Sequence, residues 1–507
     1  MAVAWNYENA AHLLRRAAFG GTPEKIEAFL DKHGSVEEAV DELLSFRPSS
    51  RKPPGPKNID TNGLRKMQRW WLKRMLRAKK QDEACHEKLV LFLHGLLVSG
   101  VSKQETLTDM AFQNRLFRLN ARGNYRQLIR EFNRDPANLY YLDGILNVAS
   151  NDGIHVNANE NWGRELLELF TLGVFQLQAD GTADPTKPNY TEDDVHNVSR
   201  ACTGWTDISN RVGVFTIDDW DGGQYDDDGD GFPDPMVIFG QTSNNFRIDE
   251  GVAGTGDDIL ELIFGRTDDD GNNQVGMYLS EKLWTWYAYA PPAPGLKTLL
   301  AGFAAVFAGA EFEITPLLRA LWTHDEFYSD RAKTRTIRNP ADYVIQAMRA
   351  LDVRGSAKFI GDASDELNEK VARMGMELFE PPNVAGWPGG LTWVSSGTLF
   401  ERMKFAKDLG AADFGSSRVR LSNITALPLG NPAADPGQVV DAVVHQMGLD
   451  IGPLALNATH RAALLDYATD NGLRTSLDLS HESTPDAEEK VRGLIALVLQ
   501  SAEAQIF

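Results

Sequence analysis

The run Asn159-Glu160-Asn161-Trp162-Gly163-Arg164-Glu165-Leu166-Leu167-Glu168-Leu169-Phe170-Thr171-Leu172-Gly173 constrains the fold of this chain more than any other. It sets amides, carboxylates and a guanidinium among leucines at helical spacing, and so predicts a mostly buried helix. An unpaired charge in a core costs on the order of several kcal/mol. Arg164, Glu165 and Glu168 are therefore expected to be paired with one another, with distant residues or with a ligand. Glu165 and Glu168 fall on one helical face, as acid/base or metal-binding carboxylates do. Arg164 points about 100° away.

The same periodicity runs through most of the chain. Leu13, Leu14 and Ala17 share a face, Thr22-Pro23 opens a second helix as cap and first-turn proline, and Ser35 with Glu38 opens a third. Residues 64–80 read as a basic helix around Trp70-Trp71, with a solvated face and tryptophan anchored in the core. Glu87 to Val98 is more apolar and places Glu87 and His94 two turns apart on one stripe, roughly 10 Å along the axis. That spacing lets each meet a group from a facing helix but does not suit one shared ion. Thr191 caps a helix whose first turn carries Glu192, Asp193 and Asp194. From 207 the helical period vanishes, short β-like runs appear at 212–217 and 236–239, and helices resume near 280.

The fold class that follows is mostly α: a multi-helical globular domain with an irregular, short-β, Asp-rich insertion. The segments divide as 1–206 and 279–410, the two helical parts of one domain, with 207–278 inserted between them and 411–507 a helical extension. A length of 507 residues accommodates such a domain. The net charge of −20 argues against nucleic acid as a partner and for cations. No apolar run approaches the roughly 20 residues that span a bilayer. The N-terminus as given has neither the charged nor the apolar region of a signal peptide. Cys85 and Cys202 allow one disulfide or two buried thiols and exclude an all-cysteine zinc site.

Asp226-Asp227-Asp228-Gly229-Asp230-Gly231-Phe232-Pro233-Asp234 has the pattern of a calcium loop, with acids at positions 1, 3, 5 and 9 and glycine at 6. Asp226, Asp228, Asp230 and Asp234, with the carbonyl of Phe232, are the expected ligands. Carboxylates this dense repel one another unless a divalent cation offsets their charge. Val237 stands where a twelfth-position acid is usual, so Asp219 or Asp221 is needed to complete the shell. The second constellation is Glu87, His94, Asn159, Arg164, Glu165 and Glu168, with Asp143 nearby. It reads either as a hydrolytic or second-metal site or as a salt-bridge and cap network that locks helices together. Trp387 and Trp393, near Asn383, either stack on sugar rings or plug the core, and the plug is favoured. No nucleophile elbow, phosphate loop or di-iron pair of Glu-x-x-His motifs is present.

Taken together, these runs resemble the bacterial domain of unknown function 1800 family from roughly His12 to Arg402. The resemblance rests on His12-Leu13-Leu14-Arg15-Arg16-Ala17-Ala18-Phe19-Gly20, the Glu87-Lys88 to His94 helix, Asp135-Pro136-Ala137 with Tyr141-Leu142-Asp143, Asn159-Glu160-Asn161 and Arg164-Glu165-Leu166-Leu167-Glu168-Leu169. It continues through Tyr190-Thr191, Thr203-Gly204-Trp205, Pro381-Pro382-Asn383-Val384-Ala385-Gly386-Trp387-Pro388-Gly389-Gly390 and Trp393. Leu96 and Leu93 stand where the family tends to have a second histidine and a tryptophan, and the Asp-rich insertion stands where it has a shorter segment. The resemblance implies a mostly helical, usually exported protein, often encoded beside a sulfatase-like partner, with no activity assigned. The reading is an extracytoplasmic, calcium-stabilised protein whose polar cleft binds or hydrolyses an extracellular, polysaccharide-like polymer. The alternative is a non-catalytic calcium-binding surface or assembly module.

Overall fold

The computed structural model describes residues 3–55, 61–104, 106–150, 154, 157–210, 212–216, 219–222, 225–226, 229–248, 257–353, 367–411 and 419–507. Its second and third helices start where their caps predict. Asn6, Thr22 and Ser35 cap α1 (Tyr7–Ala17), α2 (Pro23–Lys32) and α3 (Val36–Leu43), each accepting a first-turn N–H through its side chain. Then come α4 (Thr61–Arg77), α5 (Gln81–Leu96), α6 (Leu107–Asn120), α7 (Tyr125–Asn133) and α8 (Pro136–Tyr141). In α4, Trp71 is fully buried while Trp70 lies half-exposed beneath the Arg74 guanidinium, the anchored arrangement expected of it.

The most deeply buried of these early helices is α5, not the run around Glu165. From Ala84 to His94 every residue of α5 is buried, because its sequence is apolar on nearly every side. By contrast α9 (Glu160–Glu168) is a short helix that buries only Trp162, Gly163, Leu166 and Leu167. Glu160 is exposed and Asn161, Arg164, Glu165 and Glu168 are half-buried, so the expectation of a mostly buried central helix is corrected. Four residues in nine make too narrow a stripe to be covered on all sides.

Two close approaches position α9. Gly163 faces α10 (Glu192–Ala201), where an added Cβ would stand 2.2 Å from Ser199 Oγ, so this crossing tolerates only glycine. Trp162 packs its ring against Phe132 and Phe170. The Thr191–Asp194 capping box starts α10 as its acids predict. Between α9 and α10 lies the antiparallel pair β1 (Phe175–Leu177) and β2 (Ala183–Pro188).

The segment after α10 forms two short antiparallel hairpins, β3 (Asp207–Ser209) with β4 (Val212–Val214) and β5 (Met236–Ile238) with β6 (Gln241–Ser243). A parallel pair follows, β7 (Phe246–Arg247) with β8 (Asp257–Asp258). Met236 and Ile238 are buried, and the β5 hairpin docks on α10 through the N–H groups of Val237 and Phe239 to the side chains of Asn197 and Asp194.

Helices resume at α11 (Ile259–Phe264), followed by α12 (Gln274–Tyr287), α13 (Leu296–Gly309), α14 (Ile314–Thr323), α15 (Asp330–Thr334) and the wholly buried α16 (Pro340–Ala350). The last part adds helices Ser396–Ala411, Pro436–Gln446, Ala458–Ala468 and Arg492–Gln500. It also holds the strand pair β9 (Asn431–Ala434) and β10 (Leu477–Leu479), which helical periodicity did not predict. The hydrophobic core is continuous from Ala10 to Ala504. Cys85 and Cys202 are free and buried, so the disulfide alternative is set aside. Among the described residues no helix is long and apolar enough to cross a membrane.

Candidate functional site

The outward face of α9 carries the pair Glu165 and Glu168, both half-buried. Burial and then the neighbouring Glu168 carboxylate raise Glu165 to about 7, with Arg164 opposing them. Two like-charged groups in a partly dry site do not both ionise readily, so one retains its proton near neutrality. Glu168 accepts a hydrogen bond of 3.3 Å from Tyr190 Oη. Tyr278, on α12, donates its hydroxyl to Leu169 O and lies within electrostatic reach of Glu165, Glu168 and Glu281. Tyr141, at the end of α8, is raised by burial and then by Glu380 and Glu165. Three tyrosines thus flank two carboxylates, with Glu281 and Glu380 at the margin. A proton donor beside an acceptor carboxylate suits acid/base chemistry on a hydroxyl-rich ligand.

The other four candidates do not join this pair in one cleft. Arg164 forms a strap to α10, with Glu192 at 2.7 Å and Glu160 at 3.2 Å. Asn159 caps α9 through its side chain and gives its backbone N–H to Asn147 Oδ1 at 2.7 Å. Glu87 is sealed in the core between Arg118 of α6, which binds both its oxygens at 2.7 Å, and Arg74 Nε at 2.6 Å. Burial works to raise its carboxyl, but Arg118 and then Arg74 hold it below the usual range. His94 lies among the rings of Trp71, Phe379 and Trp387, and its Nε2 accepts the Phe379 N–H at 3.2 Å. Burial lowers it to about 3, so it is neutral at physiological pH. Each of Glu87 and His94 meets a group from another segment, as their two-turn spacing predicts. Asp143 pairs with Lys103 at 2.9 Å.

Residues 12–506 match the family model described as a protein of unknown function (DUF1800). The chain belongs to that family. No curated protein and no solved structure matches it. The match to DUF1800 runs past Arg402, where the quoted motifs stop, and includes the last helices.

In this DUF1800 protein the proline- and glycine-rich segment that holds Asn383 and Trp387 closes over α5. Trp387 lies against Gly95, and a Cβ at Gly386 would stand 2.4 Å from Gly95 O. Trp393 is buried. Trp393 thus plugs the core, and Trp387 packs half-buried against it. Asn383 Oδ1 accepts the Ala385 N–H at 2.9 Å.

The Asp-rich loop winds around its first acid. Asp226 is buried and accepts the N–H groups of Gly229 at 2.7 Å and Gly231 at 2.8 Å, both glycines at positive φ. Asp230 Oδ1 accepts the Phe232 N–H at 2.9 Å, and Asp234 O accepts from Arg200 at 2.8 Å. A first-position acid bonded to the sixth-position N–H suits a cation-binding turn, and Asp226, Asp230, Asp234 and the Phe232 carbonyl are the groups that would hold calcium. Asp228 lies outside the described residues. Among the described residues no three His, Cys, Asp or Glu side chains come together as a metal set. Asp221 is bound to Arg200 at 2.8 Å and Asp219 accepts from Thr206 Oγ1, so both acids expected to complete the shell are engaged elsewhere.

Tyr141, Tyr190, Tyr278, Glu281 and Glu380 were not among the sequence candidates for this site. Tyr278 and Glu281 stand three residues apart on one helical face, a signal available in the sequence. Glu380 had none, because it reaches the site only through the fold.

Proposed function

We propose that this protein is an extracytoplasmic, calcium-stabilised protein whose α9 carboxylate pair binds or hydrolyses an extracellular, polysaccharide-like polymer. The observation that carries the reading is the Glu165 carboxyl, raised to about 7 by burial and Glu168 on an outward-facing surface flanked by tyrosines. A carboxyl with that value protonates a leaving oxygen at neutral pH, and the adjacent carboxylate orients water or stabilises positive charge. Export rests on the family resemblance. The non-catalytic module stays as the second reading, because Glu87, His94 and Arg164 are committed to structural partners.

Assay of the purified protein for new reducing ends on a panel of polysaccharides is the test. Glu165→Gln is expected to lower the rate by about 10²-fold or more, the usual contribution of a general acid. The wild-type rate is expected to fall as pH rises through about 7, where Glu165 loses its proton. Binding without hydrolysis, unchanged by Glu165→Gln, assigns the protein to the second reading. Neither binding nor cleavage of any polymer overturns the first reading.

Calcium is tested separately, by calorimetric titration of the stripped protein and of Asp226→Ala with Asp230→Ala. Bound calcium supplies the positive charge that lets the loop's carboxylates share one turn. At 100 times the dissociation constant it adds about 2.7 kcal/mol to the unit that includes the loop. Heat from the wild type alone is the expected result, and equal heats from both proteins would remove the loop as the site.

A further inference from the structure

Among the buried cations of the described residues, Arg15, Arg16, Lys88, Arg338 and Arg402 form one group, each between 0 and 8% exposed. The acid facing the inner three, Arg16, Lys88 and Arg338, is Asp342, which binds Lys88 Nζ at 2.8 Å. Carbonyl oxygens and aromatic faces solvate the rest in part: Lys88 donates to Arg15 O, and Arg16 and Arg338 lie over the Phe507 ring. Dipoles and π faces leave the net positive charge in place, and a buried charge without a counter-ion is costly.

Where Arg15 and Arg338 meet, they line a small cavity of about 20 Å³ together with Tyr7, Gln346, His445 and Gly448. That volume holds one water-sized particle. Arg15 gives Nη2 to Gly448 O at 2.9 Å and Arg338 gives Nε to Ile506 O at 2.9 Å. Among the described residues no protein acceptor takes their remaining guanidinium N–H groups. Tyr7 Oη is buried with no hydrogen-bond partner among the described residues. The carboxylates within reach are shared with other groups, Asp450, which acts on Arg15, with His445 Nδ1 at 2.7 Å and Asp342 with Lys88. Burial and then Arg15 push the Arg338 guanidinium down to about 9, as expected of like charges held together out of water. Gly448 makes room for this pair: at φ +66° it has no Cβ, and one would stand 2.0 Å from Arg15 Nη2.

We propose that this cavity binds one small monovalent anion of the halide class, held between Arg15 and Arg338 with the Tyr7 hydroxyl as a third donor. A carboxylate or phosphate is too large for the space. Water fits it but leaves two buried guanidinium charges facing each other, whereas a halide offsets them and accepts their free N–H groups. The site is separate from the α9 face and does not depend on the function proposed there.

The test uses the full chain. Crystals soaked in sodium bromide are expected to give an anomalous peak between Arg15 and Arg338, and melting at constant ionic strength is expected to come several degrees higher in chloride than in gluconate. Arg338→Gln should lose both effects. If that variant does not fold, Tyr7→Phe keeps both arginines and should raise the half-saturating chloride concentration about tenfold, the value of one hydrogen bond to an ion. Density for a water only, without bromide signal, overturns the proposal. So does a melting temperature that follows ionic strength regardless of anion.

Discussion

Replacing Arg118 with methionine is expected to destabilise the protein by about 3 to 5 kcal/mol, the cost of breaking a buried ion pair from one side. Arg118 is fully buried and holds both oxygens of Glu87, which is itself almost wholly buried. Removing the guanidinium leaves the carboxylate with Arg74 alone. Adding Glu87→Leu should recover much of the loss, because a pair replaced by apolar groups leaves no charge uncompensated. Urea unfolding of the two single variants and the double variant measures the coupling. A loss below about 1 kcal/mol in Arg118→Met would mean that this pair does not hold α5 against α6. The pH dependence has a defined sign. The Glu87 carboxyl is held below its unfolded value, so its contribution is present above the unfolded pKa and is lost as pH falls through the folded one.

A second large effect comes from His94. Its folded value of about 3 lies below the ordinary value of 6.5, because burial among aromatic rings disfavours the imidazolium. The unfolded chain therefore takes up a proton that the folded chain refuses, and folding loses stability as pH falls from about 6.5 towards 3. Burial also lowers His86, to about 4, and His12. Asp135 works in the opposite direction. It is raised to about 7 by burial, so the folded chain holds its proton and gains stability as pH falls from 7 towards 4. Because these contributions offset one another, the clean measurement is a difference. Relative to wild type, His94→Gln should gain about 1.4 kcal/mol per pH unit between pH 6 and 5, the linkage value of one proton. Denaturant melts at each pH give this slope. A flat difference would show that His94 is protonated in the folded protein.

The Glu87 and Glu165 outcomes separate two residues that look alike in the sequence. Each sits among leucines on a helix, and each was a candidate for the same cleft. Helical spacing placed Glu165 beside Glu168 and kept Glu87 two turns from His94, and both placements hold. Spacing did not reveal that Arg118 and Arg74 close on Glu87 from 31 and 13 residues away. It did not bring Tyr278 and Glu380 to α9 either. In the Asp-rich loop the reverse held. The pattern of acids and glycines is local, and the turn of the chain around Asp226 follows from it directly.

The sequence by itself determined what depends on neighbours along the chain: the helix starts at Thr22, Ser35, Asp135 and Thr191, the mostly α class, the winding of the acidic loop and membership of DUF1800. A cap or a glycine turn is a contact over three or four residues, so its energy is written in local order. Tertiary structure alone decided which helix is buried deepest, which carboxylate is neutralised and which keeps a proton near neutrality. Desolvation and Coulomb energy depend on distance and dielectric in space, and the groups that set them for Glu87, Glu165 and Arg338 come from segments that only folding brings together.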